Sequence, residues 1–506
     1  MKQIINRNFL FIAMSIGIGL MSCKKDFLDV NIDPNRVTDD NITAELIFTQ
    51  AAVAVGDRAV GGSASVAGAK LPLYFAQAWM GYMASNGDFA RDPTETSYSI
   101  DFTFGNTLFL NTYNTLFDLH QAEVKGLEGK DTALSGAAII LSAKLFQEMV
   151  DLFGNLPYSQ AFQIDKFPLP AYDKAEDIYA SLQTRLDTAI QYMNLTVPKA
   201  FVAADVINHG DAEMWIKFAN TLKLRLLIRQ SEIPGFNPSV EINKIINAGG
   251  VLEAGESIDV NPGYVNDIDK QSPFYANYGY TPTGVVAISS TNANDYIVNI
   301  LSSTSDPRIS RYFTPVGTAF VGDVYGDEPG NIPAGNQSSY FGPALVGSPT
   351  QDQWIYPSYE SLFLKAEAIA RGWLPGDANA ALKAAITESF VWLGVPDAET
   401  EAADYIANNA DIADLSNAGS SLRQKARFIT FQKYLANVGI DPLESYADQR
   451  RLNFLPPGYI SVNPARVSNT LPLRLLYPQS EYTTNSENVL KEGTINPFTS
   501  KLFWQP

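Results

Sequence analysis

Tyr359-Glu360-Ser361-Leu362-Phe363-Leu364-Lys365-Ala366-Glu367-Ala368-Ile369-Ala370-Arg371-Gly372 carries apolar residues at spacings of three and four, which predicts a helix over residues 359–372. Leu374-Pro375-Gly376-Asp377 then breaks the pattern, and a second helical period runs over 377–393. Ala366 and Ala370 on the first helix, with Ala381 and Ala385 on the second, let the two approach closely. Working outward, the same periodicity recurs at 44–55, 71–85, 108–125, 133–153, 175–193 and 211–229, and again at 422–438 and 443–451. Clean strand alternation hardly occurs, so the chain is mainly α. In 211–229, Trp215, Phe218, Leu222 and Leu226 form one stripe, Asp211 caps the start, and Lys223, Arg225 and Arg229 suit the helix end.

The pair at 359–393 looks like one tetratricopeptide unit, and several irregular pairs of that kind stacked on one another fit the rest of the helical pattern. Between 234 and 356 the texture changes to Gly, Pro, Asn, Ser and Tyr with little period. So long an irregular stretch inside a compact domain is expected to be functional, here a loop-rich ligand lobe with a few short helices and strands. The expected organisation is a leader at 1–22 and one domain at 23–506, its helical scaffold at about 40–233 and 357–455.

The leader has its own logic. Lys2 and Arg7 precede an almost wholly apolar run from Phe9 to Leu20, and Leu20-Met21-Ser22-Cys23 places a small residue before the only cysteine. The run is too short to span a bilayer. It resembles a bacterial lipoprotein signal, which implies cleavage before Cys23, acylation of that cysteine and anchoring through several acyl chains. Residues 1–22 hold two basic side chains and no acid, so the chain from Cys23 onward carries −20 where the whole carries −18. Such acidity, with no Lys/Arg cluster, excludes nucleic acid as a partner. With no disulfide available, stability must come from packing.

A set of motifs runs in order along the chain: residues 27–34 (Phe27 to Pro34), 151–158 (Asp151 to Tyr158), 215–225 (Trp215 to Arg225), Asp306-Pro307-Arg308, 360–368 (Glu360 to Ala368), 432–435 (Gln432 to Leu435), 444–451 (Glu444 to Arg451) and 471–481 (Leu471 to Glu481). Together they resemble the SusD/RagB family of nutrient-binding outer-membrane lipoproteins, over nearly the whole chain. That resemblance implies a SusD-like fold of tetratricopeptide-like pairs with a loop-rich lobe packed on it. It also implies a lipid anchor in the cell outer membrane, facing the exterior, and a SusC-like TonB-dependent β-barrel transporter as partner. The ligand it implies is an oligosaccharide, or an oligopeptide as in the RagB branch, held weakly enough to be released and without chemistry. Most of the motif residues read as scaffold.

Sugar rings offer C–H faces and hydroxyl edges, which suit flat aromatic side chains flanked by amides and carboxylates. Two stretches have that mixture. One holds Trp79, Tyr82, Asn86 and Asp88, with Arg91. The other holds Phe274, Tyr275, Asn277, Tyr278 and Tyr280, with Tyr340, Phe341 and Trp354 as additions. For Trp79 and Tyr82, three apart on a helix, the alternative is core packing. The Tyr275–Tyr280 run, broken by Gly279 and Pro282, reads as an exposed platform.

Enzymatic readings have little support. His120 and His209 are the only histidines and show no metal spacing, the one cysteine is taken up by lipidation, and no cofactor motif appears. Residues 62–70 lack the Gly-Lys-Ser/Thr ending of a phosphate loop. Asp323, Asp327 and Glu328 do not follow a calcium-loop pattern and read as a solvated acidic loop. Carboxylate pairs for glycoside hydrolysis are a matter of separation, which spacing along a chain does not give.

Overall fold

The computed structural model describes residues 42–59, 73–90 and 92–506. The leader, Cys23, residues 27–34 and 62–70, and Arg91 lie outside the described residues. Ala44–Pro506 forms one compact unit, in which the long helices are α1 (Ala44–Ala59), α2 (Asn106–Glu128), α3 (Thr132–Phe153), α4 (Ala175–Met193), α5 (Ala212–Arg229), α6 (Ser358–Ala370), α7 (Ala378–Trp392), α8 (Leu422–Ala436) and α9 (Pro442–Leu452).

Helix α3 is predominantly apolar, its charged side chains Lys144, Glu148 and Asp151 all being paired, and such a helix is buried. Asp131 opens it by accepting the Leu134 N–H, and Gly154 at φ +81° closes it. It is the one helix among the described residues long and apolar enough to cross a membrane, yet it lies wholly inside the protein, against α1, α2, α4 and α5. The second half is built on the pair α6 and α7. Gly372 at φ +74° lies beyond the end of α6, and Asp377 caps α7 by accepting the Asn379 and Ala380 N–H groups. Ala366 and Ala385 are fully buried, the close approach that the small residues suggested. Ser421 and Gln424 form a capping box on α8, which packs on α6 and α9.

Helix α5 joins the halves. Trp215, Phe218, Leu222 and Leu226 are buried as a stripe, and Asp211 caps the start. Lys223, Arg225 and Arg229 are not helix-end surface charges: all three are buried. Arg229 Nε donates to Asp151 at 3.0 Å, Nη2 donates to Glu444, and Nη1 lies 3.5 Å from Asp448. Arg225 donates to Gln147 at 3.0 Å and Glu360 at 3.3 Å. Lys433 binds Glu444 at 2.8 Å and Asp448 at 2.6 Å, and Arg451 binds Glu367 at 2.6 Å and Asp448 at 2.8 Å. A dry ionic network of residues from five motifs therefore ties α3, α5, α6, α8 and α9 together.

Residues 234–356 hold short helices, among them Ser239–Asn247, Pro273–Tyr278 and Asp295–Ser303. Among the described residues, three antiparallel two-stranded pairs complete the fold: β1 (Met83–Ser85) with β5 (Thr291–Ala293), β2 (Leu156–Pro157) with β3 (Tyr172–Asp173), and β4 (Ile258–Val260) with β6 (Gln353–Tyr356). The Asp306-Pro307-Arg308 motif pins this region to α7. The buried Arg308 guanidinium chelates Asp306, donates to Ser389 Oγ at 3.0 Å and lies 4.8 Å from the Phe390 ring centre.

Candidate functional site

Strand β1 aligns Met83 with Ala293 and Ser85 with Thr291, which delivers the following loop to the irregular lobe. Asn86 fixes it there. Its backbone N–H donates to Ser290 O at 3.1 Å, and its side-chain amide donates to Ser289 O and Asn292 Oδ1, both at 2.7 Å. Gly87 donates to Pro333 O at 2.7 Å, and a Cβ there would fall 2.3 Å from Ile332 O, so the approach admits only glycine. Asp88 then emerges at the surface, its Oδ2 accepting the Gly335 N–H at 2.8 Å, with Phe89 exposed beside it.

The aromatic run 274–280 is sorted by one turn of helix. Phe274 and Tyr278, four apart, face inward: Phe274 lies 4.8 Å from Trp354 and Tyr278 lies 5.1 Å from Phe341. Tyr275 and Tyr280 face outward with ring centres 6.4 Å apart. Tyr280 begins a hairpin in which it pairs with Val286, the Thr281 N–H donates to Val285 O at 2.8 Å, and Gly284 turns at φ +81°. Half-buried Tyr340 donates its hydroxyl to Ile288 O at 3.0 Å, which places a third ring on the strand leading from the hairpin to Ser289 and Asn86. Residues 280–292 thus link the two sequence stretches: the chain that begins the hairpin at Tyr280 runs on to Ser289 and Asn292, which hold Asn86.

Of the eight ligand residues expected from sequence, Asp88, Tyr275 and Tyr280 reach solvent. The other five do not. Trp79 stacks on Phe104 at 5.7 Å and donates to Glu95 O. Tyr82 stacks on Tyr434 at 4.8 Å and donates to Tyr434 O at 2.8 Å, so core packing describes both residues. Asn86, Asn277 and Tyr278 are buried too: Asn86 positions the loop, Asn277 donates to Pro273 O at 2.8 Å, and Tyr278 packs inward. Phe341 and Trp354 form the floor beneath the platform.

The sequence reading missed a cleft of about 460 Å³ at the far end of β5. Asp295, Asn299 and Ser303 form one polar row, four residues apart on the helix Asp295–Ser303. They face an apolar wall that includes Val324, Pro456 and Pro457, and Tyr296 donates its hydroxyl to Pro456 O at 2.8 Å. The recurrence of Asp, Asn and Ser at spacing four after the Asn294 cap was the available signal.

Asp323 is not solvated, in contrast to the acidic-loop reading. It is fully buried, and its Oδ2 accepts the Ser338 hydroxyl at 3.0 Å. Burial raises its carboxyl to about 7. Among the described residues no group of three or more His, Cys, Asp or Glu side chains is placed to hold a metal ion. His209 sits in the turn before α5 at φ +52°, and His120 lies on α2.

A family model named SusD-like and described as "Starch-binding associating with outer membrane" matches residues 57–478, most of the chain. No curated protein sequence matches. Among solved structures, a chitin-binding SusD homolog from Flavobacterium johnsoniae superposes with a TM-score of 0.72 at 22% identity, over 90% of this chain and 98% of that one. A SusD homolog from Bacteroides fragilis matches with a TM-score of 0.72 at 19% identity, over 92% and 99%. A SusD/RagB family protein from Bacteroides thetaiotaomicron matches with a TM-score of 0.71 at 21% identity, over 92% and 99%. At such identities the likeness to these structures is one of fold.

Proposed function

This chain belongs to the SusD-like family of outer-membrane-associated binding proteins, and from that premise we propose that it captures an oligosaccharide at the cell surface and delivers it to a SusC-like TonB-dependent transporter. The observation that carries the reading is the outward pair of rings at Tyr275 and Tyr280, over a floor of buried aromatics, on a chain segment that leads by way of the Tyr340 contact to the loop presenting Asp88 and Phe89. Flat rings take the C–H faces of sugars, while the Asp88 carboxylate accepts hydroxyl protons. The likeness to a chitin-binding protein agrees with a glycan ligand. Anchoring through an acylated Cys23 follows from the lipoprotein-like leader.

Calorimetric titration of oligosaccharides of several linkages into the protein tests this reading. We expect binding without release of shorter sugars, weakened in Tyr275→Ala and Tyr280→Ala. Sugar release that vanishes with one carboxylate would make the protein an enzyme.

One observation favours a peptide. The cleft pairs a polar row at Asp295, Asn299 and Ser303 with an apolar wall, a shape suited to an extended backbone. Titration with oligopeptides separates the readings: binding of peptides alone, lost on Asn299→Ala, replaces the glycan assignment with an importer of the RagB kind.

A further inference from the structure

A second pocket, of about 330 Å³, lies away from the lobe residues described above, between α2, α3, α4 and the loop that follows β2. Leu116, Phe146 and Leu182 make an apolar floor, each almost fully buried. Polar groups gather at the rim. Arg185 Nη2 donates to Glu123 Oε2 at 2.5 Å, and Tyr158 and Ser181 share a hydroxyl hydrogen bond of 2.9 Å. Among the described residues, the other donors of Arg185, the second carboxylate oxygen of Glu123 and the His120 ring have no hydrogen-bond partner. Burial lowers the His120 pKa, Arg185 adding to that effect and Glu123 opposing it, so the ring is neutral at pH 7.

The wall of the pocket is held in place. Phe162 sits at φ +62°, a left-handed backbone that costs a bulky residue about 1–3 kcal/mol. That conformation lays its ring over His120, with centres 5.5 Å apart and planes 28° from parallel. The Asp173 carboxylate fixes the same loop by accepting the Tyr158 N–H at 3.1 Å, the Ser159 N–H at 2.7 Å and the Ser159 hydroxyl at 2.8 Å. Strain maintained against such bracing is a mark of functional sites.

We propose that this pocket is a second saccharide site, which takes a single neutral pyranose unit. A guanidinium and a carboxylate side by side offer a donor and an acceptor to adjacent ring hydroxyls without parting from each other. Their charges balance, which disfavours an anionic or cationic ligand. The Phe146 and Phe162 rings take the C–H faces, and the volume, near the lower end for ligand sites, fits one ring and not a chain. The proposal stands whatever the loop lobe binds.

Saturation-transfer NMR on the full mature protein tests it, with methyl glycosides of glucose, galactose, mannose and N-acetylglucosamine as probes and free phenylalanine as the zwitterionic competitor. In a Tyr280→Ala background, which impairs the loop lobe, at least one glycoside is expected still to bind, with affinity reduced about tenfold when Glu123→Gln is added and binding abolished when Phe162→Ala is added. The near-isosteric Glu123→Gln reports on the site if Phe162→Ala fails to fold. Binding of none of the four glycosides, binding of phenylalanine alone, or glycoside binding that responds only to Tyr280→Ala overturns the assignment.

Discussion

Replacing Arg229 with methionine removes the cation that three buried carboxylates share. Asp151 at 3.0 Å, Glu444 and Asp448 at 3.5 Å would face a thioether, with Lys433 left to serve Glu444, Lys433 and Arg451 to serve Asp448, and none of the network cations paired to Asp151. Removing one partner from a buried ion pair costs about 3–5 kcal/mol, because the remaining charge stays desolvated. A unit of this size unfolds with an entropy of roughly 1 kcal/mol per kelvin, so the melting temperature should fall by about 4 °C. The pH dependence gives a second check. Burial alone would raise Glu444, but Arg229, Lys433 and Arg225 hold it well below the ordinary carboxylate range, so its contribution in the wild type is present above its unfolded value and is lost as pH falls. Burial already raises Asp151 in spite of Arg229. In Arg229→Met both carboxyls rise, and the folded variant takes up protons that the unfolded chain does not, so its deficit narrows from pH 8 to pH 5. Adding Asp151→Asn should restore part of the loss. Calorimetric melting of the three proteins across that range decides the matter. A single variant that melts within 1 °C of wild type at pH 8, or a deficit that grows on acidification, would refute the reasoning.

The site gives further expectations. Tyr280→Ala should weaken oligosaccharide binding about fivefold, at roughly 1 kcal/mol for a lost stacking partner, without moving the melting temperature. Asn86→Ala leaves Ser289 O and the Asn292 side chain without their donor, which should cost about 1–3 kcal/mol and weaken binding at Asp88 although Asn86 is itself buried; paired melts and titrations measure both effects. Asp323, raised to about 7 from 3.8, binds a proton in the folded state that the unfolded chain releases, so it makes stability fall as pH rises from about 4 to 7. Asp323→Asn should flatten that fall in a melting series. Cys23→Ala should abolish labelling by a palmitate analogue and move the protein out of the membrane fraction.

The helices were legible because their periodicity and caps are local: Asp211 and the 359–393 pair stand where the pattern puts them. The motifs were legible as scaffold, and the reason is now physical. Arg225, Glu360, Glu367, Lys433, Glu444, Asp448 and Arg451 are partners in one buried network, where no member tolerates the loss of another. Charge signs alone could not tell that Lys223, Arg225 and Arg229 go inside. The ligand residues were half legible for a similar reason. Whether an aromatic side chain packs or projects depends on partners far along the chain: Tyr82 finds Tyr434 and Ser445, and Trp79 finds Tyr446. Tyr275 and Tyr278 differ only by which side of a single helical turn they occupy, and composition does not reveal that.

The ionic network also sets an order of events for the newborn chain. Its cations on α5 are made long before their counter-charges at Glu360, Asp441, Glu444 and Asp448 exist, so an amino-terminal half closing early would hold Arg225 and Arg229 in a dry interior with Asp151 alone of their carboxylate partners yet made. Premature compaction is thereby penalised until the last third of the polypeptide supplies these partners. The same residues that lock the finished body thus favour its closing only once the carboxyl-terminal helices are made.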